Sequence, residues 1–289
     1  MSLRTYIGQK LRAALGISGL ECEIQRSLAF SQALEQFVVP EHIQPDQAVF
    51  AYSAAQIEKA YGIAGFDPVI HKNDLMFQHH LRKMPDKTGT ALFHYYNVGL
   101  DALSKIKKLV PEAENILEFG AGYGRVSRFL PHFYKDAVVH VSDVKEGAMR
   151  FQAEQFGFKE IIHTEDPASF KSSQQYDLIV AISVFSHLPE DASSEWLKRM
   201  VQFLAAGGKI IFTYNPLESK GEAYRFIEQS EDAGLSWVPD RIRKSEVYGS
   251  AFYTRRHLES LLDDLGIDYQ VIGHFSGSQN AVFCKVKTK

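Results

Sequence analysis

The sequence predicts a doubly wound α/β fold preceded by a helical N-terminal extension. From Asn115 onward, short apolar segments alternate with segments of helical spacing, the order expected of a parallel sheet with helices on both faces. The apolar segments are continuously hydrophobic rather than alternating, as in strands buried on both faces. Only a short segment joins the last two of them, too short for a parallel crossover, so they are predicted to form an antiparallel hairpin.

Each strand is predicted from a short apolar run, and each helix from apolar residues recurring every three to four positions. The predicted strands cover residues 116–119, 137–141, 160–163, 176–182, 208–214, 267–273 and 281–286. The helices among them cover residues 125–133, 146–156 and 193–204. Upstream of residue 115, helices are predicted at 3–15, 24–37, 54–61 and 91–110, with a polar loop at 62–89.

Composition limits the class of protein. The chain has 289 residues, a formal net charge of −3 and 45% hydrophobic residues, which fits one large domain with an accessory region. A slightly acidic chain is not expected to have nucleic acid as its main partner. Cys22 and Cys284 belong to no CxxC pair, so no zinc framework or disulfide scaffold is expected, and the expected location is cytoplasmic. Neither a signal peptide nor a membrane span is predicted.

The segment Ile116–Arg125, ILEFGAGYGR, carries the strongest chemical signal. It is predicted to be a strand, a glycine-rich turn and the start of a helix. Gly120 permits a tight turn, and Gly122 lets a ligand approach the main chain. The dinucleotide motif G-x-G-x-x-G would need glycine or alanine where Arg125 stands, and no G-x-x-x-x-G-K-[ST] loop occurs. The spacing therefore favours a nucleoside without a pyrophosphate over NAD or ATP.

A second acidic residue supports a nucleoside site. Asp143 ends the next predicted strand, 23 residues after Gly120 (143 − 120). A carboxylate in this position can accept hydrogen bonds from both ribose hydroxyls. The alternative is that Asp143 only caps the helix at residues 146–156.

These motifs resemble the class I S-adenosylmethionine-dependent methyltransferases. The resemblance rests on ILEFGAGYGRVSRFL, VHVSDVKEGAMR and YDLIVAISVFSHLPEDASSEWLKRMVQFLAAGGKIIFTY, which occur in that order within residues 116–214. It implies a seven-stranded sheet of order 3-2-1-4-5-7-6 with strand 7 antiparallel, which agrees with the predicted hairpin. It also implies a Rossmann-like methyltransferase domain at 115–289, with an insertion at 215–253. The helical spacing upstream predicts a helical accessory or cap region at 1–114, which matches no motif of the family.

The resemblance further implies S-adenosylmethionine as the cofactor and assigns a set of residues to it. In the family, the acidic residue and the glycines of the first motif lie around the methionine moiety. The second acidic residue binds the ribose, the loop after strand three meets the adenine, and the end of strand four lines the methyl side. The corresponding residues here are Glu118, Gly120, Ala121, Gly122, Gly124, Asp143, Val144, Asp166 or the adjacent Glu165, Ile182 and Ser183.

His187 follows the fourth strand and has two interpretations. A histidine titrates near neutral pH and can act as a general base. Members of this family that methylate different acceptors also frequently have a histidine at this position. That favours a role for His187 in positioning the loop. The aromatic residues Tyr95, Tyr248 and Tyr253 are candidates for contact with the acceptor.

His79, His80 and His94 are not expected to bind a metal. Two adjacent histidines rarely face the same ion, and the sequence contains no H-E-x-x-H pattern. The sequence therefore predicts no metal site.

The function expected from the resemblance is methyl transfer by in-line displacement to a small-molecule acceptor. The segments GYGRVSR, SVFSHLPEDASSEWL and VYGSAFYT look like bacterial methyltransferases of glycan or secondary-metabolite pathways. The acceptor could thus be a sugar, a glycan precursor or a secondary metabolite. One alternative is a scaffold that has kept the fold and lost catalysis. Another is an NAD-dependent enzyme, which Arg125 disfavours. The sequence defines neither the acceptor atom nor the oligomeric state.

Overall fold

The computed structural model describes residues 47–83, 88–164, 166–219, 221–228 and 249–285. Three of the residues discussed above, Cys22, Glu165 and Tyr248, lie outside these ranges, as do the two helices predicted before residue 40.

Helices and strands alternate from residue 115 as predicted. The helices are α1 (Gln47–Tyr61), α2 (Leu75–Lys83), α3 (Thr88–Leu109), α4 (Leu130–Phe133), α5 (Glu146–Phe156), α6 (Glu190–Gln202) and α7 (Arg255–Asp263). The strands are β1 (Asn115–Phe119), β2 (Val138–Asp143), β3 (Glu160–His163), β4 (Tyr176–Ala181), β5 (Leu204–Pro216), β6 (Tyr224–Glu228), β7 (Gly249–Tyr253), β8 (Asp268–Ser276) and β9 (Gln279–Lys285). Two short 3-10 helices lie at Ser127–Phe129 and Pro167–Ser169.

The sheet has the expected topology. Strands β3, β2, β1, β4 and β5 lie side by side and are parallel. Strand β9 pairs antiparallel with β5, and β8 pairs antiparallel with β9. Because β8 and β9 are strands six and seven of the family's numbering, the order 3-2-1-4-5-7-6 with strand 7 antiparallel is confirmed. The predicted insertion adds β6 and β7, of which β7 runs parallel to the end of β5.

Alternate residues of the central strands pack on opposite faces of the sheet. Ile116 and Val180 join a core that contains Leu100 and Leu103 of α3. Leu117 joins a second core on the other face. Helices α6 and α7 contribute five buried residues to it: Trp196, Leu197, Met200, Leu258 and Leu262. Helix α3 is therefore one of the layers that cover the sheet, although it precedes β1 in the chain.

Helices α3 and α6 each begin three residues before the predicted start, and three larger differences from the predictions lie elsewhere. The helix predicted at 54–61 begins at Gln47. The polar loop predicted at 62–89 contains α2, which begins where Asp74 accepts hydrogen bonds from the N–H groups of Met76 and Phe77. The helix predicted at 125–133 is a turn followed by a 3-10 helix and the short α4. Pro131 explains the last difference, because it has no N–H to donate to the carbonyl oxygen of Ser127.

Helix α3 packs directly against the glycine-rich turn after β1. The contact is made at Gly99, where a methyl group would overlap the carbonyl oxygen of Arg125 and come within 3.4 Å of the Phe129 ring. Glycine in a helix interior normally lowers stability relative to alanine. Here it is required by the close approach of two backbones.

We expect Gly99→Ala to lower the free energy of unfolding. Alanine would favour the helix by about 1 kcal/mol, but overpacking against a backbone carbonyl costs about 1–3 kcal/mol. Thermal unfolding measures the balance. Gly147→Ala in α5 is the matched control, because its methyl group would lie 3.7 Å from the Tyr123 hydroxyl, an ordinary contact. A Gly99→Ala protein as stable as the control would contradict the close approach.

Candidate cofactor site and its family

The glycine-rich turn, residues 120–124, lies at the carboxyl end of β1 and is bonded to the end of β2. The N–H groups of Gly120 and Ala121 donate to the carbonyl oxygen of Ser142 at 2.8 and 3.0 Å. The Asp143 carboxylate accepts the N–H of Gly122 at 2.8 Å and that of Lys145 at 2.9 Å. Asp143 thus fixes the turn at its central glycine, at the edge where ligands bind in open α/β sheets.

Buried side chains that the sequence analysis did not select support the turn from below. Gln152 of α5 donates from Nε2 to the carbonyl oxygen of Gly122 at 2.8 Å and accepts the Ser127 hydroxyl at 2.6 Å. Both residues are fully buried. The signal for Gln152 was present, because it shares the buried face of α5 with Ala148 and Met149, where a polar residue is unusual.

Arg128 connects the turn to the N-terminal region. Its side chain donates to the carbonyl oxygens of Gly124 at 2.7 Å and Val69 at 2.9 Å, and more weakly to those of Asp67 and Tyr123. The residue is buried. The residue 66–74 segment therefore lies against the turn, and the His71 ring stacks on Tyr123 with centroids 4.7 Å apart.

Glu118, just before the turn, is the most unusual charge in the site. It is 3% exposed, and within the described residues its Oε2 atom has no hydrogen-bond partner. Burial raises its pKa to about 8, and Ser127 and Arg125 offset part of the rise. A buried carboxyl group without a full set of partners is costly. It fits a ligand that brings a positive charge, as the amino-acid end of S-adenosylmethionine does.

The end of β4 forms the next part of this edge. Ile182 is buried, and Ser183 has a φ angle of 61°, in the left-handed region. A non-glycine residue in this region costs about 1–3 kcal/mol and requires support from its surroundings. The support comes from side chains of β5 and β9: the Ser183 N–H donates to Thr213 Oγ1 at 2.7 Å, and its hydroxyl donates to Gln279 Oε1 at 2.9 Å.

The chain is similar to known methyltransferases. The family model described as a methyltransferase domain matches residues 117–210. An uncharacterized methyltransferase of Bacillus cereus is 26% identical over 163 residues, covering 56% of this chain and 70% of the relative. One from Bacillus mycoides is 25% identical over 186 residues, covering 63% of this chain and 81% of the relative. The crystal structure of DesVI from Streptomyces venezuelae has the same fold: its TM-score is 0.50 at 12% identity, over 66% of this chain and 93% of that chain.

The chain carries a methyltransferase domain.

In this methyltransferase, Asp143 lies where the resemblance expects the ribose acid, and Glu118 lies beneath the turn where the methionine end is expected. Both of these ligand contacts stay predictions. Gly122 has a φ angle of 52°, and a methyl group on it would meet no atom within 4 Å. The space above this glycine is open, as a bound cofactor requires.

Asp166 is exposed and caps the short helix that follows it. Its carboxylate accepts the Ala168 N–H and the Ser169 hydroxyl, both at 2.9 Å. These hydrogen bonds lower the pKa of Asp166, first through Ala168 and then through Ser169. Its predicted contact with the adenine would have to use the remaining acceptor capacity of the same carboxylate.

His187 joins the loop after β4 to the insertion. Its Nδ1 atom lies 2.8 Å from the carbonyl oxygen of Gly249, which can only accept a hydrogen bond. The neutral ring therefore carries its proton on Nδ1. The backbone N–H of Gly249 donates in return to the His187 carbonyl oxygen at 3.0 Å. These contacts favour the positioning role among the two interpretations, and general-base catalysis stays a prediction.

The structure corrects two of the predicted acceptor contacts. Tyr95 is fully buried, and its hydroxyl donates to Asp74 at 2.5 Å. Tyr253 is 2% exposed, and its hydroxyl donates to Ser193 at 3.1 Å. Both residues belong to the cores described above rather than to the wall of a cleft. Helical spacing alone could not separate these alternatives, because an apolar body with a bonded hydroxyl suits a core equally well.

Three histidines lie close together where α2 and α3 meet: His79 and His80 of α2 and His94 of α3. The rings of His80 and His94 are stacked at 6.4 Å, and those of His79 and His80 are 6.0 Å apart. Among the described residues, no group of three or more His, Cys, Asp or Glu side chains could hold a metal ion. In the same residues, no helix is long and apolar enough to cross a membrane. Burial lowers the pKa of His80 to about 4, with Arg125, His79, His94 and Lys83 adding to the effect.

We expect His80 to make the protein less stable in mild acid. The unfolded chain binds a proton at His80 near pH ~6.5, whereas the folded protein binds it only near pH 4. Stability is therefore present above this window and is lost as the pH falls through it. The melting temperature should fall between pH 7.5 and pH 5 in the natural protein and fall less in His80→Gln. Equal falls in the two proteins would exclude His80 as the titrating group.

Proposed function

We propose that this methyltransferase acts on a small polar acceptor enclosed between the carboxyl edge of the sheet and the segments 1–114 and 215–253. One observation supports the proposal most. Both segments reach this edge, since residues 66–74 pack on the glycine-rich turn through Arg128, and β7 bonds to the loop after β4. Small ligands commonly bind between the core of a fold and its appendages.

S-adenosylmethionine, when bound, supplies a methyl group already activated by its sulfonium. The protein then needs mainly to align the reactants and exclude water. In this proposal Glu118 pairs with the cofactor's amino-acid end, Asp143 accepts hydrogen bonds from the ribose, and the backbone at Ile182 and Ser183 borders the methyl side. The assignment is supported by the position of all four residues at the ends of β1, β2 and β4.

A general base is required only for some acceptors. A hydroxyl must lose a proton on methylation, whereas a carboxylate need not. With Nδ1 protonated, His187 would have to accept a proton at Nε2. The methyltransferase-domain match disfavours an NAD-dependent enzyme. The presence of both acidic residues, Glu118 and Asp143, disfavours an inactive scaffold. Cytoplasmic location stays a prediction from cysteine usage.

Transfer of a labelled methyl group tests the proposed acceptor class. The protein is incubated with methyl-labelled S-adenosylmethionine and an extract separated into small-molecule, protein and nucleic-acid fractions. We expect the label in the polar small-molecule fraction, with none transferred by the Gly122→Val variant described below. Label confined to the protein or nucleic-acid fraction would contradict the proposal.

We expect Gly122→Val to abolish cofactor binding while the protein still folds. The valine side chain would occupy the open space above the turn, and the positive φ angle would add strain of about 1–2 kcal/mol. Gly157→Val is the matched control: Gly157 has a φ angle of 73°, also has nothing within 4 Å, and lies at the far end of α5. Calorimetric titration with S-adenosylhomocysteine should show no binding to the first variant and normal binding to the second, at similar melting temperatures.

Asp143→Ala should lower the affinity for S-adenosylhomocysteine by about ten- to hundredfold, because a hydrogen bond to a charged group is worth about 1.5–3 kcal/mol. Asp177→Ala provides a control on the opposite edge of the sheet. Asp177 also accepts two backbone N–H groups, those of Glu114 and Asn115, at 3.0 and 2.9 Å. This variant should lose stability and keep its affinity. Equal affinities of the Asp143 variant and the natural protein would remove Asp143 from the cofactor site.

A further inference from the structure

Ser183 is the strained residue of the cofactor edge, and the conformation it adopts decides where the backbone after β4 runs. Its N–H and its hydroxyl are both bonded to other parts of the chain, through Thr213 of β5 and Gln279 of β9. The two partners are also bonded to each other, since the Thr213 hydroxyl donates to Gln279 Oε1 at 2.8 Å. Gln279 Oε1 therefore accepts two hydroxyl groups and closes a ring around the strained residue.

The amide nitrogen of Gln279 continues the network toward the insertion. It donates to Asn215 Oδ1 at 3.2 Å, and Asn215 Nδ2 donates to the carbonyl oxygen of Ala251 in β7 at 3.0 Å. One side chain at the start of β9 is thus bonded, directly or through one neighbour, to the segment after β4, to the end of β5 and to the middle of β7. These are the elements that the proposed function places around the methyl-transfer site.

The network explains why glutamine stands at this position. The side chain must present an acceptor to Ser183 and Thr213 and a donor to Asn215 at the same time. Leucine supplies neither. Glutamate keeps the acceptor for the two hydroxyls and loses only the donor to Asn215, whose amide stays in place because its Nδ2 atom donates to the carbonyl oxygen of Ala251.

We propose that Gln279 is a positioning residue for methyl transfer, which holds Ser183 in its left-handed conformation and thereby fixes the cofactor-facing end of β4. The proposal rests on the proposed function, because it needs the backbone at Ser183 to border the cofactor. The competing possibility is that Gln279 only stabilises the β8–β9 hairpin.

A rescue experiment separates these possibilities without knowledge of the acceptor. Glycine adopts positive φ angles without support, so Ser183→Gly should make Gln279 dispensable if its role is to hold Ser183. Affinity for S-adenosylhomocysteine is measured by titration calorimetry for Gln279→Leu, Ser183→Gly, the double variant and Gln279→Glu. Melting temperatures are recorded for each.

We expect Gln279→Leu to weaken binding about tenfold, equivalent to about 1.4 kcal/mol. The affinity of the double variant should return to within about threefold of that of the natural protein, a difference of about 0.65 kcal/mol. The affinity of Gln279→Glu should lie within the same range. Rescue of affinity without recovery of the melting temperature would separate positioning from hairpin stability. A double variant as weak as Gln279→Leu, or a Gln279→Leu protein of unchanged affinity, would overturn the proposal.

Two further measurements keep the test decisive. If Gln279→Leu does not fold, Thr213→Val replaces it, since it removes the acceptor of the Ser183 N–H and leaves every residue of the β8–β9 hairpin unchanged. It should show the same loss and the same rescue by Ser183→Gly. If the natural protein itself fails to bind S-adenosylhomocysteine, the proposed function fails. If it binds and Asp143→Ala weakens it while Gln279→Leu does not, only the positioning role fails.

Discussion

The carbonyl oxygens of the glycine-rich turn point into the protein, and buried side chains have to satisfy them. Arg128 bonds to the carbonyl of Gly124, and Gln152 bonds to that of Gly122. Burying a charged guanidinium is costly unless its donors are used. Here carbonyl oxygens take up those donors, and the Phe156 and Tyr95 rings lie 4.8 and 5.5 Å from the guanidinium carbon. The conformation of the cofactor turn and the packing of the N-terminal region therefore depend on the same buried cation.

Glu118 adds an electrostatic constraint to this arrangement. Its side chain is buried on the face of β1 that also carries Ile116, where water cannot stabilise the charge, and its pKa of about 8 favours the neutral form at pH 7. A cationic ligand would favour the charged form. Hydrogen bonds within the protein thus hold the turn in place, while the Glu118 carboxyl group beneath it can pair with the positive charge of a ligand. Such preorganisation reduces the rearrangement that binding requires.

The sequence predicted the parts of this protein that have local signals. Strand β3 and helix α5 were predicted with the observed bounds, because apolar periodicity and a glycine at the end of α5 mark them directly. The turn after β1 was visible from the spacing of its glycines. The carboxylate of Asp143 accepts the N–H groups of Gly122 and Lys145. Lys145, not Asp143, is the N-cap residue of α5, and among the described residues no side chain caps this helix, so the capping alternative was wrong.

The residues missed by sequence reasoning act over long distances in the chain. Arg128 reaches Val69, and Gln279 reaches Ser183, 96 positions away. No local pattern encodes such bonds between side chains and remote segments. The same limit explains why Tyr95 was wrongly predicted to contact the acceptor. Its hydroxyl donates to Asp74, which caps α2, and the sequence predicted only a polar loop there.

The position of α3 has a consequence for how this enzyme could diversify. Because α3 covers part of one face of the sheet and its Gly99 contacts the backbone of Arg125, just after the cofactor turn, the unit that would bind the cofactor begins upstream of β1. Exchange of N-terminal regions between relatives would leave the sheet uncovered if the junction fell between α3 and β1. Recombination that preserves the fold has to occur before Thr88. New acceptor specificity would then come with the residues that precede α3, while α3 itself would be inherited together with the sheet.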